Sequence, residues 1–141
     1  MARWLARRFA RWVGAMRRER LERAMGGHWR RRALLGVVFR AMPRSVRRRA
    51  LERERAVIEW RITGRRDGRQ DVRQLVIEDG TATLLPGEPR DSDLVLMLDG
   101  TTFLLLVTGN ASGPLLFVSG KLEFYGDPWL AMRLPRLFGT P

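Results

Sequence analysis

The chain has 141 residues, the usual size of one domain, and 45% of them are hydrophobic, so it can bury a core. It has no cysteine and one histidine, His28, which excludes disulfides, thiolate nucleophiles, zinc-finger sites and histidine metal clusters. The net charge of +12 belongs to one end: residues 1–55 carry 18 arginines against 4 glutamates, whereas residues 56–141 carry nine basic residues against eleven acidic ones.

Residues 1–25 read as a basic amphipathic helical arm. At 100° per residue, Trp4, Leu5, Phe9, Trp12 and Met16 share one side, with Arg3, Arg7, Arg11, Arg17 and Arg18 on the other. Tryptophan on the apolar side and arginine opposite are what a helix lying in a membrane interface needs. Trp4, Leu5, Arg7, Phe9, Arg11 and Trp12 are therefore the candidate membrane-docking residues, with an anionic surface as the partner. Two other readings stay open: the stripe packs on the rest of the chain, or the arm is a cleaved presequence. Arg11, Arg17 and Arg18 interrupt the place where a secretory h-region would lie. The longest apolar run in this half, from Ala33 to Phe39, is far short of the roughly 20 residues a membrane span needs. These features predict a cytoplasmic protein, peripheral to the membrane if the arm docks.

Residues 26–55 read as helices leading into a domain. Gly26 and Gly27 end the arm, and a helix is predicted from His28 to Met42, with Leu34, Val37, Val38, Ala41 and Met42 as its buried face. Pro43 is expected to stop it. Ser45 is the expected N-cap of a further helix running to about Arg55.

From Ala56 the period changes to two. Ile58, Trp60 and Ile62 alternate with Glu59, Arg61 and Thr63, the pattern of a half-buried strand. A second strand is predicted over about 71–78, a two-residue turn at Asp79-Gly80, and a third strand over about 81–85. The fourth, about 93–98, is apolar on both faces, so both are expected to be covered. Asp99 caps a helix carrying Phe103, Leu106 and Val107 on one side, and Gly109-Asn110 ends it. Leu115, Leu116 and Phe117 follow a Gly-Pro pair. A fifth strand is predicted from Lys121 to Tyr125. Asp127 and Pro128 start a last helix, which Pro135 is expected to end or kink near Leu134.

The segments Asp93 to Gly109, Phe117 to Asp127 and Leu130 to Leu134, in this order and spacing and behind the hairpin of 56–86, resemble the sterol carrier protein type 2 family. The resemblance covers residues 56–141, which it defines as a lipid-binding domain. It implies an α+β fold: a five-stranded, mainly antiparallel sheet with helices covering one face and a hydrophobic tunnel, preceded here by a helical N-terminal extension. It also implies non-catalytic binding of a sterol, isoprenoid, fatty acyl or similar lipid, with no cofactor. Carried over by position, the tunnel would be lined by Phe103, Leu106, Val107, Phe117, Trp129, Met132, Leu137 and Phe138. Ordinary core packing is the competing reading of each. Some bacterial members assist quinone synthesis, so an accessory role beside an enzyme partner is the alternative.

Three other function classes weigh less. Nucleic-acid binding has only the charge of the arm behind it, with no reading motif. Catalysis has one histidine, no cysteine, and acids that sit at turns where capping explains them. A groove for a partner's helix is a fourth possibility.

Overall fold

Strand β1 (Ala56–Thr63) is the middle of a five-stranded sheet, flanked by β2 (Asp71–Glu78) and, in parallel, β4 (Leu94–Asp99). The outer strands β3 (Thr81–Pro86) and β5 (Glu123–Gly126) pair antiparallel with β2 and β4, giving the order β3-β2-β1-β4-β5. The computed structural model describes residues 11, 12 and 14–138. Ile58, Trp60 and Ile62 are buried together with Leu75 and Ile77 of β2 and Leu94, Leu96 and Leu98 of β4. This is the alternation expected of strands whose one face meets the core. Asp79 and Gly80 adopt φ of 52° and 76°, the geometry of the tight turn joining β2 to β3.

The helices lie against that face. They are α1 (Arg18–Gly26), α2 (His28–Ser45), α3 (Arg48–Arg53), α4 (Gly100–Val107), α5 (Gly113–Val118) and α6 (Pro128–Leu137). Leu21 and Met25 of α1, Leu35, Val38, Phe39 and Met42 of α2, Phe103 and Leu104 of α4, and Leu130 and Leu137 of α6 join the strand residues in one core. Phe103 sits between Phe39 and Trp60, with ring centres 5.2 and 5.3 Å away. Burying such side chains stabilises the fold by about 1.5–3 kcal/mol each.

Arg31 fastens α2 to the sheet. It is buried, and its guanidinium donates to the carbonyls of Ile62 (3.2 Å) and Thr63 (2.9 Å) and to Asp71 (3.1 Å). Gly100 makes room for it, since a Cβ there would strike the side chains of Met25 and Arg31. Gly126 has φ of 110°, and a Cβ would collide with the Asp93 carbonyl.

Several boundaries differ from the sequence expectation. The arm is not one helix to residue 25: Met16 forms a bend and Arg17 is extended (φ −65°, ψ 146°) before α1 begins. Gly14 lies against the Asn110 side chain. Pro43 does not stop α2, which runs on to Ser45. The missing N–H falls in the last turn, where little helix remains to lose, and Ser45 Oγ donates back to the Ala41 carbonyl at 2.8 Å. Ser45 thus ends one helix instead of capping the next. The buried face of α2 is Arg31, Leu35, Val38, Phe39 and Met42; Val37 and Ala41 face solvent. Pro135 likewise lies inside α6, which continues to Leu137. Its end is held from outside: Arg47 N–H donates to the Leu137 carbonyl (2.7 Å), and Val46 bridges to Phe138. Strand β5 starts at Glu123 because the Lys121 and Leu122 N–H groups turn to the Leu116 carbonyl. Among the described residues no helix is long and apolar enough to cross a membrane.

Candidate functional site

The sheet has two faces of different chemistry. On the face away from the helices, Glu59, Arg61, Gln70, Ser92, Val95, Met97 and Tyr125 line an open depression of about 620 Å³ with Glu88, Arg90 and Asp91. Glu59 and Gln74 are cross-strand partners there, both buried. Gln74 Nε2 donates to Glu59 Oε1, Ser92 Oγ and the Arg90 carbonyl, while its Oε1 accepts from the Arg90 N–H. The network folds the 87–93 segment over this face. The buried carboxylate in it, Glu59, is paired with Arg61. Val95 and Met97 are half-buried under these polar side chains. The second face of β4 thus borders an open depression and is only partly covered, short of the full cover expected.

The helix side carries the apolar candidate site. Asp99 positions α4: its Oδ1 accepts from the Thr102 N–H at 2.7 Å. Burial then falls along the helix, from Gly100 to Leu104 buried to Leu105, Leu106 and Val107 half-buried. Gly113, at the start of α5, lies close to the Leu106 side chain. Phe117 of α5 stacks on Phe124 of β5, ring centres 5.0 Å apart. Asp127 starts α6, accepting from the Trp129 and Leu130 N–H groups at 2.9 and 3.2 Å. Arg133 locks that helix to α3 through both carboxylate oxygens of Glu54 (2.8 and 3.1 Å).

The expected tunnel residues thus separate by depth. Phe103 and Leu137 are in the core. Leu106, Val107 and Phe138 are half-buried and pack against it. Phe117, Trp129 and Met132 are exposed, the last two by 72% each. Two exposed apolar residues of α5, Leu115 and Val118, were not anticipated; Pro114, in the first turn after Ser112, is the signal that would have found this helix. Of the expected docking residues, Arg11 and Trp12 are exposed, and Trp4, Leu5, Arg7 and Phe9 lie outside the described residues.

A five-stranded mixed sheet with helices on one face has known relatives. Residues 38–139 match the SCP-2 sterol transfer family. The chain belongs to that family. Its fold is a lipid-binding one, and the family resemblance is thereby confirmed, with the match beginning within α2, ahead of Ala56. Among solved structures, sterol carrier protein 2 of Yarrowia lipolytica in its apo form aligns with a TM-score of 0.55 at 24% identity, over 63% of this chain and 70% of that one. The sterol carrier protein domain 2 of Helicoverpa armigera gives 0.61 at 17% identity, over 74% and 82%. A UbiJ-SCP2 ubiquinone synthesis protein gives 0.55 at 17%, over 74% and 95%. The chain is also 28% identical over 106 residues to hydroxysteroid dehydrogenase-like protein 2 of Xenopus tropicalis. That match covers 74% of this chain but spans only about a quarter of the relative's length.

Proposed function

We propose that the chain carries one lipid molecule, taken in between α4, α5 and α6, and collects it from an anionic membrane. The observation behind this is the burial gradient from exposed Trp129 and Met132, through half-buried Leu106, Val107 and Phe138, to Phe103 in the core. A monomer gains nothing by keeping Leu115, Val118, Trp129 and Met132 in water, and exposed apolar groups of this size mark a contact or an entrance.

The membrane half of the proposal is supported by α2. This helix contains five arginines and no acidic residue. Trp29 (79% exposed), Ala33, Val37, Arg40, Ala41 and Arg44 fall within about a third of a turn of one another on its solvent side. Arginine around an exposed tryptophan suits phosphate headgroups with an apolar layer beneath. The arm residues Trp4, Leu5, Arg7, Phe9, Arg11 and Trp12 extend the same chemistry.

The test is transfer of a fluorescent sterol or fatty acid between vesicles by the delipidated full chain. Changing Trp129 and Met132 together to serine should slow transfer at least several-fold while leaving the melting temperature within a degree or two, because both are exposed. Unaltered transfer would move the entrance elsewhere, and absence of any bound lipid would end the carrier reading. The ubiquinone-synthesis neighbour favours a second reading, presentation of the lipid to an enzyme partner. Copurification of such an enzyme from the host, lost on the same substitution, would decide for it.

A further inference from the structure

The segment ahead of α1 is led to one place on the molecule. Met25, near the end of α1, lies against Gly100 at the start of α4, and Gly14 lies against the Asn110 side chain just past the end of α4. Residues 14–25 therefore run along α4 in the opposite direction to it, with Arg17 as an extended joint between two helical stretches. Both partners in the far contact are anchored. Met16 packs against the core, and its N–H donates to the Trp12 carbonyl at 3.1 Å, which closes a helical turn. Asn110 is tied to the end of α4: its N–H donates to the Leu105 carbonyl at 2.8 Å, and its Nδ2 donates to Thr108 Oγ1 at 2.8 Å. Helix α5 begins three residues after Asn110, and its Leu115 and Val118 are exposed.

We propose that the apolar side of the arm, Trp4, Leu5 and Phe9, covers Leu115 and Val118 of α5 when no membrane is present, and that an anionic membrane competes for that same side and so uncovers the lipid entrance. This rests on the lipid-carrier reading and gives its site a switch. Trp4, Leu5 and Phe9 lie outside the described residues, and their spacing and reach are read from the sequence. Met16, Trp12, Phe9 and Leu5 follow one another at steps of four, three and four, the spacing of one helix side. Met16 is the member of that series packed against the core. Leu5 precedes Gly14 by nine positions, about 14 Å of helix at about 1.5 Å per residue. That is enough to pass over α5 from Asn110, since six helical residues measure about 9 Å. The chemistry matches as well. Residues 110–120 contain no charged side chain, so they suit the apolar side and leave the arginines of the other side to water or phosphate. An apolar side buried on α5 cannot at the same time lie among lipid headgroups.

The chain has no cysteine, so two introduced thiols are the only ones present. In the delipidated full chain carrying Phe9→Cys and Val118→Cys, the flexible thiol crosslinker bismaleimidohexane should join the two in solution. Phosphatidylglycerol vesicles should lower the yield several-fold, and phosphatidylcholine vesicles should leave it unchanged. Adding Gly14→Leu, whose Cβ would collide with the Asn110 side chain, should lower the yield several-fold with no membrane present. The linked protein should take up NBD-labelled stearate from solution several-fold more slowly than the same variant left unlinked. Absence of a link in solution overturns the inference. A yield unmoved by phosphatidylglycerol vesicles or by Gly14→Leu overturns it too, as does uptake by the linked protein at the unlinked rate. Each of these results leaves the carrier reading standing as long as the wild type takes up the probe. Failure of the wild type to take it up overturns the carrier reading, and the switch with it.

Discussion

Glu59 shows how one residue can escape the alternation of its strand. Its neighbours Ile58 and Trp60 face the helices, and Glu59 points to the opposite face, yet it is as buried as they are. Burial is the largest single influence on its carboxyl and raises its pKa. Hydrogen bonds from Ser92 (2.7 Å) and Gln74 (2.9 Å) and the paired Arg61 guanidinium together outweigh burial, so the group titrates below the ordinary glutamate range. A carboxylate depressed by folding contributes stability that is fully present above its unfolded pKa, about 4.3, and is lost as pH falls through the folded value. Glu59→Gln should therefore cost roughly 1–3 kcal/mol at pH 7. That gap should shrink as the pH drops below about 4.3. Urea unfolding of both proteins at pH 7 and near pH 3 reads the difference; a gap independent of pH would mean that the charge is not what Ser92 and Gln74 hold.

The helices show which ends are made locally and which are imposed. Asp99 and Asp127 are local: each carboxylate accepts backbone N–H groups of the first turn, as an N-cap does. Asp127→Ala should destabilise the protein by about 1 kcal/mol. Hydrogen exchange should speed up at the Trp129 and Leu130 amides, while the far end of α6 keeps its protection through Arg133–Glu54 and the Arg47–Leu137 bond. Equal acceleration along the whole helix would show that the cap alone docks it. The prolines are the opposite case. Pro43 and Pro135 both stand in a final turn, and the segment between α2 and α3 meets the end of α6 through Val46, Arg47, Leu137 and Phe138. Each helix end supplies partners for the other, and the local penalty of proline is absorbed there.

Across the molecule, charge and apolar surface are kept apart. The sheet and its following helices are close to neutral, and the positive charge is concentrated in residues 1–55. Each arginine near an anionic leaflet contributes on the order of 1 kcal/mol. Changing Arg40 and Arg44 together to glutamate should accordingly lower binding to phosphatidylglycerol-containing vesicles at least about tenfold at low salt. Raising the salt should erase most of the difference between variant and wild type. Neither residue is in the core, so thermal stability should be preserved. Binding of the wild type to duplex DNA in preference to vesicles would reassign this face to nucleic acid.

The strands, the Asp79-Gly80 turn, the two aspartate caps and the family itself were legible in the residue order. Each depends on side chains within a few positions of one another, and a period of two or a cap three residues from its N–H survives without knowledge of the rest of the chain. Helix α5 carries a signal of the same local kind, Pro114 in its first turn. What could not be read depends on partners far apart in sequence. The face of α2 that turns inward is chosen by Arg31 reaching the ends of β1 and β2, not by the apolar residues of the helix alone. The burial of Glu59 is set by Ser92, 33 positions away. Apolar side chains along α4, α5 and α6 ended buried, half-buried or exposed according to how those helices lie on the sheet. Hydrophobicity says only that a side chain leaves water when it can; the packing of distant elements decides which ones do.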